Sequence, residues 1–272
     1  MNTKKYRSFS VLGNLAIVNF PFNTKQADKK RFAKELLNKN KSLKTIVEKS
    51  GIFKGRLRKM KTKHLAGEKV KEVLYKENGC VFRFNIDETY FSSRLSNERN
   101  EVALQIKKND EVLVMFAGVG PMPIVIAKNS KAKKVYSNEI NRLANKYAKL
   151  NIELNNLKDK VELLPGDIKK VVERIKGGLN VKGNLVPLQF DVIAMPRPQL
   201  KDSFLEQAFD LSKKGTRVYY YDFCKVQDLN KIVDKVKLEA KKAKKKIKIL
   251  KIKSAGDLAP YKIRCRIDFK IL

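Results

Sequence analysis

Residues 111–128, EVLVMFAGVGPMPIVIAK, decide how this chain is read. An apolar strand, EVLVM, runs into the small-residue loop Phe116-Ala117-Gly118-Val119-Gly120, and an amphipathic helix follows. A strand, a tight turn and a helix N-terminus together bring backbone N–H groups and the positive end of a helix dipole toward a polar small molecule. Gly118 and Gly120 tolerate positive φ and leave room for a ligand beside the backbone. The G-x-G-x-x-G spacing of a pyrophosphate turn is incomplete, because Pro123 stands where the third glycine would be and Pro121 adjoins the second. The stretch therefore predicts a nucleoside ligand without a phosphate chain.

The same logic extends outward. KKVYSNEIN (133–141) predicts a second strand closed by Glu139, about twenty residues past Gly118. An acid at that place can accept from both ribose hydroxyls through its two oxygens. KVELLPGD (160–167) predicts a third strand ending in Asp167, and QFDVIAMP (189–196) a fourth that runs into a proline-rich turn. A lone glycine loop is often only a structural turn, and it is the succession of polar strand ends that makes a ligand edge of it. Helices are expected near 141–156, 168–176 and 201–213, a strand at 216–223, and a helix over 226–245 with Leu229, Ile232, Val233, Val236 and Leu238 facing inward. A closing strand pair is expected over 245–272 around a loop at Ser254–Pro260. This alternation predicts an α/β fold with a mostly parallel sheet covered by helices on both faces.

The first hundred residues differ in character. A hairpin is expected around Gly13-Asn14, a helix over 27–40, a strand over 42–50 and two strands joined at Glu77-Asn78-Gly79. Between them, residues 51–68 read as a basic connector in which Lys54, Arg56, Arg58, Lys59, Lys61 and Lys63 suit phosphate contacts or a solvated loop equally well. The expected division is a small basic α+β, RNA-binding domain at 1–88 and an α/β domain at 89–272.

Sixty-one Lys and Arg stand against 28 Asp and Glu, a formal charge of +33 on 272 residues. Lysine-rich thermophile proteins usually balance their lysine with glutamate, and that balance is missing, so a polyanion is the expected partner. Cys80, Cys224 and Cys265 stand far apart and His64 is the only histidine, which argues against a disulfide scaffold, a metal site and histidine acid–base chemistry. The sequence has no apolar run of membrane-spanning length, so no membrane partner and a cytoplasmic location are expected.

The runs YFSSRLSNER (90–99), MFAGVGP (115–121), VYSNEIN (135–141), GDI (166–168) and APYKIRCRIDF (259–269) resemble archaeal tRNA (guanine-37-N1)-methyltransferases over nearly the whole chain. The resemblance implies a class I methyltransferase fold, S-adenosylmethionine as methyl donor and tRNA with guanine at position 37 as acceptor; a monomer without metal is expected. It carries cofactor contacts onto Ser92, Arg99, the loop Phe116, Ala117, Gly118, Val119 and Gly120, then Glu139, Ile140, Asp167, Ile168 and Met195. It offers Arg99 as the cation near O6 of guanine, or as partner of the methionine carboxylate, and Glu139 as ribose ligand, base or both. Pro196 is carried over as the third catalytic position.

Two departures from the family pattern bear on the site. Val114 stands where an acid is usual, and Pro196-Arg197-Pro198 replaces an Asn-Leu-Pro turn, so the polar contacts of that asparagine are lost. Proline there resembles the subgroup that also methylates carbon 7 of a tricyclic wyosine intermediate. The N-terminal domain with which larger members grip the tRNA body is expected to be missing. Two alternatives stay open: an aminocarboxypropyl transferase of wyosine biosynthesis using the same cofactor, and a basic RNA-binding protein without catalysis.

Overall fold

The computed structural model describes residues 8–51, 57, 59–176, 179–181, 184–186 and 188–272. The chain divides into two units, residues 1–93 and 94–272. In the first, strands β1 (Ser8–Leu12) and β2 (Leu15–Asn19) form the hairpin expected around Gly13-Asn14, helix α1 (Gln26–Lys39) crosses over, and β3 (Thr45–Lys49) returns parallel to β2. Apolar positions of α1 and the sheet, among them Ala33, Leu36, Ile46 and Leu65, close a small core. The basic connector is corrected in part: its later residues form β4 (Thr62–Gly67), antiparallel to β3, with Lys61 and Lys63 exposed and Leu65 and Ala66 buried. Lys54, Arg56 and Arg58 lie outside the described residues. β5 (Glu72–Glu77) and β6 (Cys80–Asn85) form a hairpin through Asn78-Gly79, both with positive φ, as a type I′ turn requires. Phe91 stacks on Phe84 at 4.5 Å and lies edge-on to Tyr75 at 5.1 Å.

The second unit begins with α2 (Ser96–Leu104) and then alternates: β7 (Glu111–Val114), α3 (Pro121–Asn129), β8 (Lys134–Glu139), α4 (Arg142–Leu154), β9 (Val161–Pro165), α5 (Ile168–Lys176). A short hairpin, β10 (Leu179–Val181) with β11 (Asn184–Val186), precedes β12 (Phe190–Met195). Then come α6 (Leu205–Asp210), β13 (Ser212–Lys225), α7 (Leu229–Lys242), β14 (Ile247–Ala259) and β15 (Lys262–Ile271). The sheet order is β14-β15-β13-β12-β7-β8-β9. Its five strands from β13 to β9 are parallel, and β15 and β14 close it antiparallel. Chain order reverses between β7 and β12, so the crevice at their C-terminal ends is the place where an open α/β sheet takes a ligand. Helices α2, α3 and α4 pack in one layer and α5, α6 and α7 in another, which makes the doubly covered α/β sheet that the alternation predicts. Buried on both faces, β7 and β12 are apolar beyond Glu111 and Asp191, with Val112, Leu113, Val114, Val192, Ile193 and Ala194 all inaccessible.

Three local expectations are corrected. The helix expected at 201–213 is only Leu205–Asp210, because the chain is already strand from Ser212, where the Thr216 hydroxyl donates to the Phe190 carbonyl at 2.6 Å. On α7, Val233, Val236 and Ala240 are the buried residues, while Leu238 is exposed. The last strand pair turns at Pro260-Tyr261, and the stretch from Ser254 stays in β14 with register irregularities.

One ionic cluster joins α2 to the antiparallel edge. Arg266 of β15, fully buried, donates to Glu98 and Glu101 at 2.7 Å each and to Asp268 at 2.8 Å. Lys253 donates to both glutamates at 2.5 Å, Lys251 to Glu101 at 3.0 Å, and the Tyr221 hydroxyl to Glu98 at 3.1 Å. Burial alone would raise the Glu101 carboxyl, but Lys253, Arg266 and Lys251 outweigh it and lower its pKa from 4.5 to about 2. A carboxylate with a depressed folded-state pKa stabilises fully above its unfolded value and loses that contribution as pH falls. The stability of the protein should therefore drop between pH 4.5 and about 2. Urea denaturation across that range is expected to show a shallower acid limb for Glu101→Gln than for the wild type.

Candidate active site

The glycine loop is held open by a carboxylate. Glu139, the last residue of β8, accepts from the Gly118 N–H through Oε2 and from the Asn141 N–H through Oε1, both at 2.8 Å. Burial pushes its carboxyl above the ordinary range, opposed by the N–H groups of Asn141, Gly118 and Ile140. The loop itself needs left-handed backbone: Phe116, Gly118 and Gly120 have φ of 58°, 59° and 86°. A β-carbon on Gly120 would also stand 3.2 Å from Ile124 and 3.5 Å from Ala148, so helix α3 and helix α4 meet over this glycine. Pro121 then starts α3 at a position where no amide donor is needed.

The expected residues fall into groups. Gly118, Glu139, Ile140, Asp167 and Pro196 are half-buried at the C-terminal ends of β7, β8, β9 and β12, the same edge of one sheet. The carboxylate of Asp167 accepts from the Lys169 N–H at 3.1 Å and so caps α5. Ala117, Val119, Ile168 and Met195 are buried, and their side chains form the floor of this edge rather than its surface. Phe116 is half-buried and its ring meets Phe204 edge-on at 4.9 Å, closing the crevice between β7 and β12. Arg99 is 3% exposed on α2, beside the anchored Glu98. Ser92 is half-buried at the end of the first unit. Val114 lies inside the sheet, paired in register with Ser137 and Ala194, where an apolar side chain suits the core. Among the described residues there is no cluster that could hold a metal ion, and no helix is long and apolar enough to cross a membrane.

Comparison with known proteins gives a consistent picture. The model of the TRM5/TYW2 methyltransferase domain matches residues 73–250, and that of the TYW2 N-terminal domain matches residues 2–70. The chain is 30% identical over 265 residues to the tRNA (guanine(37)-N(1))-methyltransferase Trm5b of Pyrococcus abyssi, covering 97% of this chain and 74% of that protein. It is 30% identical over 312 residues to the tRNA (guanine(37)-N(1))/4-demethylwyosine(37)-methyltransferase Taw22 of Nanoarchaeum equitans, covering 97% and 100%. Among solved structures, a complex of aTrm5 with tRNALeu superposes with a TM-score of 0.82 at 29% identity, covering 98% of this chain and 72% of that one.

Sequence reading passed over the asparagines that hold the strand ends together. Asn138 of β8, buried, donates to the carbonyls of Leu164 and Gly166 at 2.8 and 3.0 Å, while its own carbonyl accepts the Ala117 N–H at 2.8 Å. Asn151 of α4, inaccessible, donates to the Val119 carbonyl at 2.9 Å. The available signal was a polar residue at an inward position of an apolar element, since a buried amide must find partners. Asn138→Leu leaves two buried carbonyls without their donor, so a loss of about 2 kcal/mol is expected in urea denaturation. Amide exchange should accelerate at Ala117 and Gly166 before the rest of the sheet.

Proposed function

Because the chain belongs to the TRM5/TYW2 methyltransferase family, we propose that it transfers a methyl group from S-adenosylmethionine to N1 of guanine-37 in tRNA. The observation that carries the reading is the Glu139–Gly118 contact at the sheet's switch point, a carboxylate already oriented beside a left-handed glycine loop. These residues fit the cofactor. Glu139 already takes the N–H groups of Gly118, Asn141 and Ile140, and the acceptor capacity left on its two oxygens is available to a ribose hydroxyl. The loop Phe116–Gly120, left-handed at Phe116, Gly118 and Gly120, would hold the methionine part, and Asp167, whose carbonyl starts α5, would accept from the adenine amine.

The bound cofactor supplies an electrophilic methyl group on a sulfonium. The protein must place N1 of the guanine in line with it, take up the N1 proton and hold the charge that gathers on O6. Arg99 supplies the cation at O6, where a buried guanidinium acts more strongly than it would in water. Glu139, its carboxyl raised by burial, is the acceptor that this edge offers to the ribose, to the N1 proton or to both. Pro196 ends β12 with an apolar ring in place of an amide, and this favours a second reaction at the same nucleotide, methylation of carbon 7 of a tricyclic wyosine intermediate.

The decisive measurement is methyl transfer to unmodified tRNA bearing guanine-37, with the product identified by mass and mapped to its nucleotide. A mass gain of one methyl is expected. An aminocarboxypropyl adduct, or tRNA binding without S-adenosylmethionine binding, would overturn the reading. Glu139→Ala should weaken cofactor affinity about ten- to a hundredfold, the loss of a charge-assisted hydrogen bond. Arg99→Ala should slow single-turnover transfer at saturating cofactor by about two to three orders of magnitude. If Arg99→Ala instead weakens cofactor binding and leaves that rate unchanged, Arg99 clamps the cofactor.

With a formal charge of +33, tRNA affinity should be dominated by phosphate contacts. The logarithm of the binding constant is expected to fall linearly with the logarithm of salt, by about 0.7–0.9 for each phosphate neutralised, with a slope corresponding to several phosphates. A flat salt dependence would mean that the lysine excess has no part in RNA binding.

A further inference from the structure

The segment that leaves β12, residues 196–204, has no regular structure up to α6, yet one side chain fixes its path. Arg197 is 1% exposed. Its N–H donates to the Met195 carbonyl at 2.7 Å, which folds the chain tightly about Pro196. Nη1 pairs with Asp222 of β13, and Nη2 donates to the carbonyls of Leu200 and Asp202 at 2.5 and 2.6 Å. Asp222 is itself anchored by the Tyr220 hydroxyl at 2.6 Å, the Phe223 N–H at 2.8 Å and Lys235 of α7 at 3.2 Å. Burial would raise its carboxyl, but Arg197 and these donors hold it below the usual range.

The far end of the segment is tied to the cofactor loop. The Asp202 carboxylate accepts the Phe204 N–H at 2.9 Å and Lys169 of α5 at 2.7 Å. Phe204 and Phe116, whose rings meet edge-on, both hold left-handed backbone, with φ of 57° and 58°. Such a conformation is unfavourable for a bulky residue and survives only where the surroundings over-determine it. Two strained aromatics in contact across the switch point therefore mark a segment held in one place against its own preference.

We propose that Arg197 is a positioning residue for the methyl transfer. It fixes residues 196–204 as the wall against which the acceptor base is placed, and this rests on the methyltransferase reading above. A buried Arg–Asp pair adds little net stability, because desolvation of both ions offsets their attraction. Nε of Arg197 has no partner among the described residues, which adds to the cost. What the arginine contributes is a defined path for the loop, through the Leu200 and Asp202 carbonyls that it takes up. Pro196 and Arg197 then act together: the proline sets the width at the strand end, and the arginine keeps it there.

The test separates position from stability. Arg197→Met with Asp222→Asn removes both buried charges, keeps the bulk and retains an acceptor for Tyr220; Lys235, a third exposed, loses its carboxylate but can turn to water. This double variant should unfold within a few degrees of the wild type, since the half-buried Leu200 and Asp202 carbonyls that lose their donor are open to water, and bind S-adenosylmethionine within about threefold of the wild type. Its single-turnover transfer to saturating tRNA should fall about ten- to a hundredfold, the effect of a displacement near 1 Å at a reacting centre. Amide exchange should accelerate at Arg197 and Phe204 and stay unchanged in β12 and β13. A transfer rate within twofold of the wild type overturns the proposal, as does a rate loss that recovers fully when cofactor is raised. Should the double variant not fold, Arg197→Lys replaces it: lysine reaches Asp222 without spanning both carbonyls, and the same rate loss is expected. A wild type that transfers no methyl to tRNA defeats the earlier reading, and the exchange measurement then decides on its own whether Arg197 holds the segment.

Discussion

A single carboxylate closes two turns at the ligand edge. With one oxygen on the Gly118 N–H and the other on the Asn141 N–H, Glu139 ties the loop after β7 to the start of α4. Without an acceptor at this place, Gly118 would carry an orphan donor in a half-buried turn, and the left-handed path of the loop would lose its partner. The neighbouring contacts follow from it. Asn141, whose N–H the carboxylate fixes, caps α4 through its own side chain, accepting from Leu143 at 3.0 Å. Asn151, nearly three turns further along α4, reaches back to the Val119 carbonyl of the same loop. The C-terminal edge of the sheet is thus ordered by groups that the fold requires in any case.

The opposite side of the sheet solves a different problem. Strand β15 is buried along most of its length, yet its sequence KIRCRIDFKI places Arg264, Arg266 and Asp268 among apolar residues. A buried guanidinium is tolerable only when its donors are matched, and Arg266 finds Glu98, Glu101 and Asp268. The pairing fixes the rotation of α2, because both glutamates must face the strand. Arg99, between them in sequence, is then turned to another side of the helix, since neighbouring residues on a helix do not share a face. The ionic cluster and the buried arginine proposed for catalysis are in this sense one arrangement.

What the sequence made legible was local. Strand, glycine loop, helix and acid follow one another within thirty residues, and each is readable from apolar runs, turn residues and spacing. The glycine pair and Glu139 were recognisable for that reason. Arg197 and Asp222, twenty-five residues apart, meet only because β12 and β13 are adjacent, and Glu98 meets Arg266 across 168 positions. No periodicity carries that information. The overlong helix expected at 201–213 failed for a related cause: a run such as LEQAFDLSKK has helical spacing, and only the parallel pairing of Ser212 with Phe190 makes it turn into a strand. Leu238 misled in the other direction, since the α7 stripe continues through Ala240, a small residue that hydrophobic weight alone does not single out.

These two kinds of information meet at residues 196–198. Read as a motif, Pro196 is the loss of an amide, and its consequence is a site with one hydrogen bond fewer. Read in the fold, the same turn gains Arg197, which takes up the Leu200 and Asp202 carbonyls and pairs with Asp222. A proline can replace an asparagine at a strand end only if something else holds the chain that follows, because proline donates no backbone hydrogen bond of its own. The arginine next to it does that from inside the protein, and so the departure from the family pattern is better understood as an exchange of supports than as a loss of one.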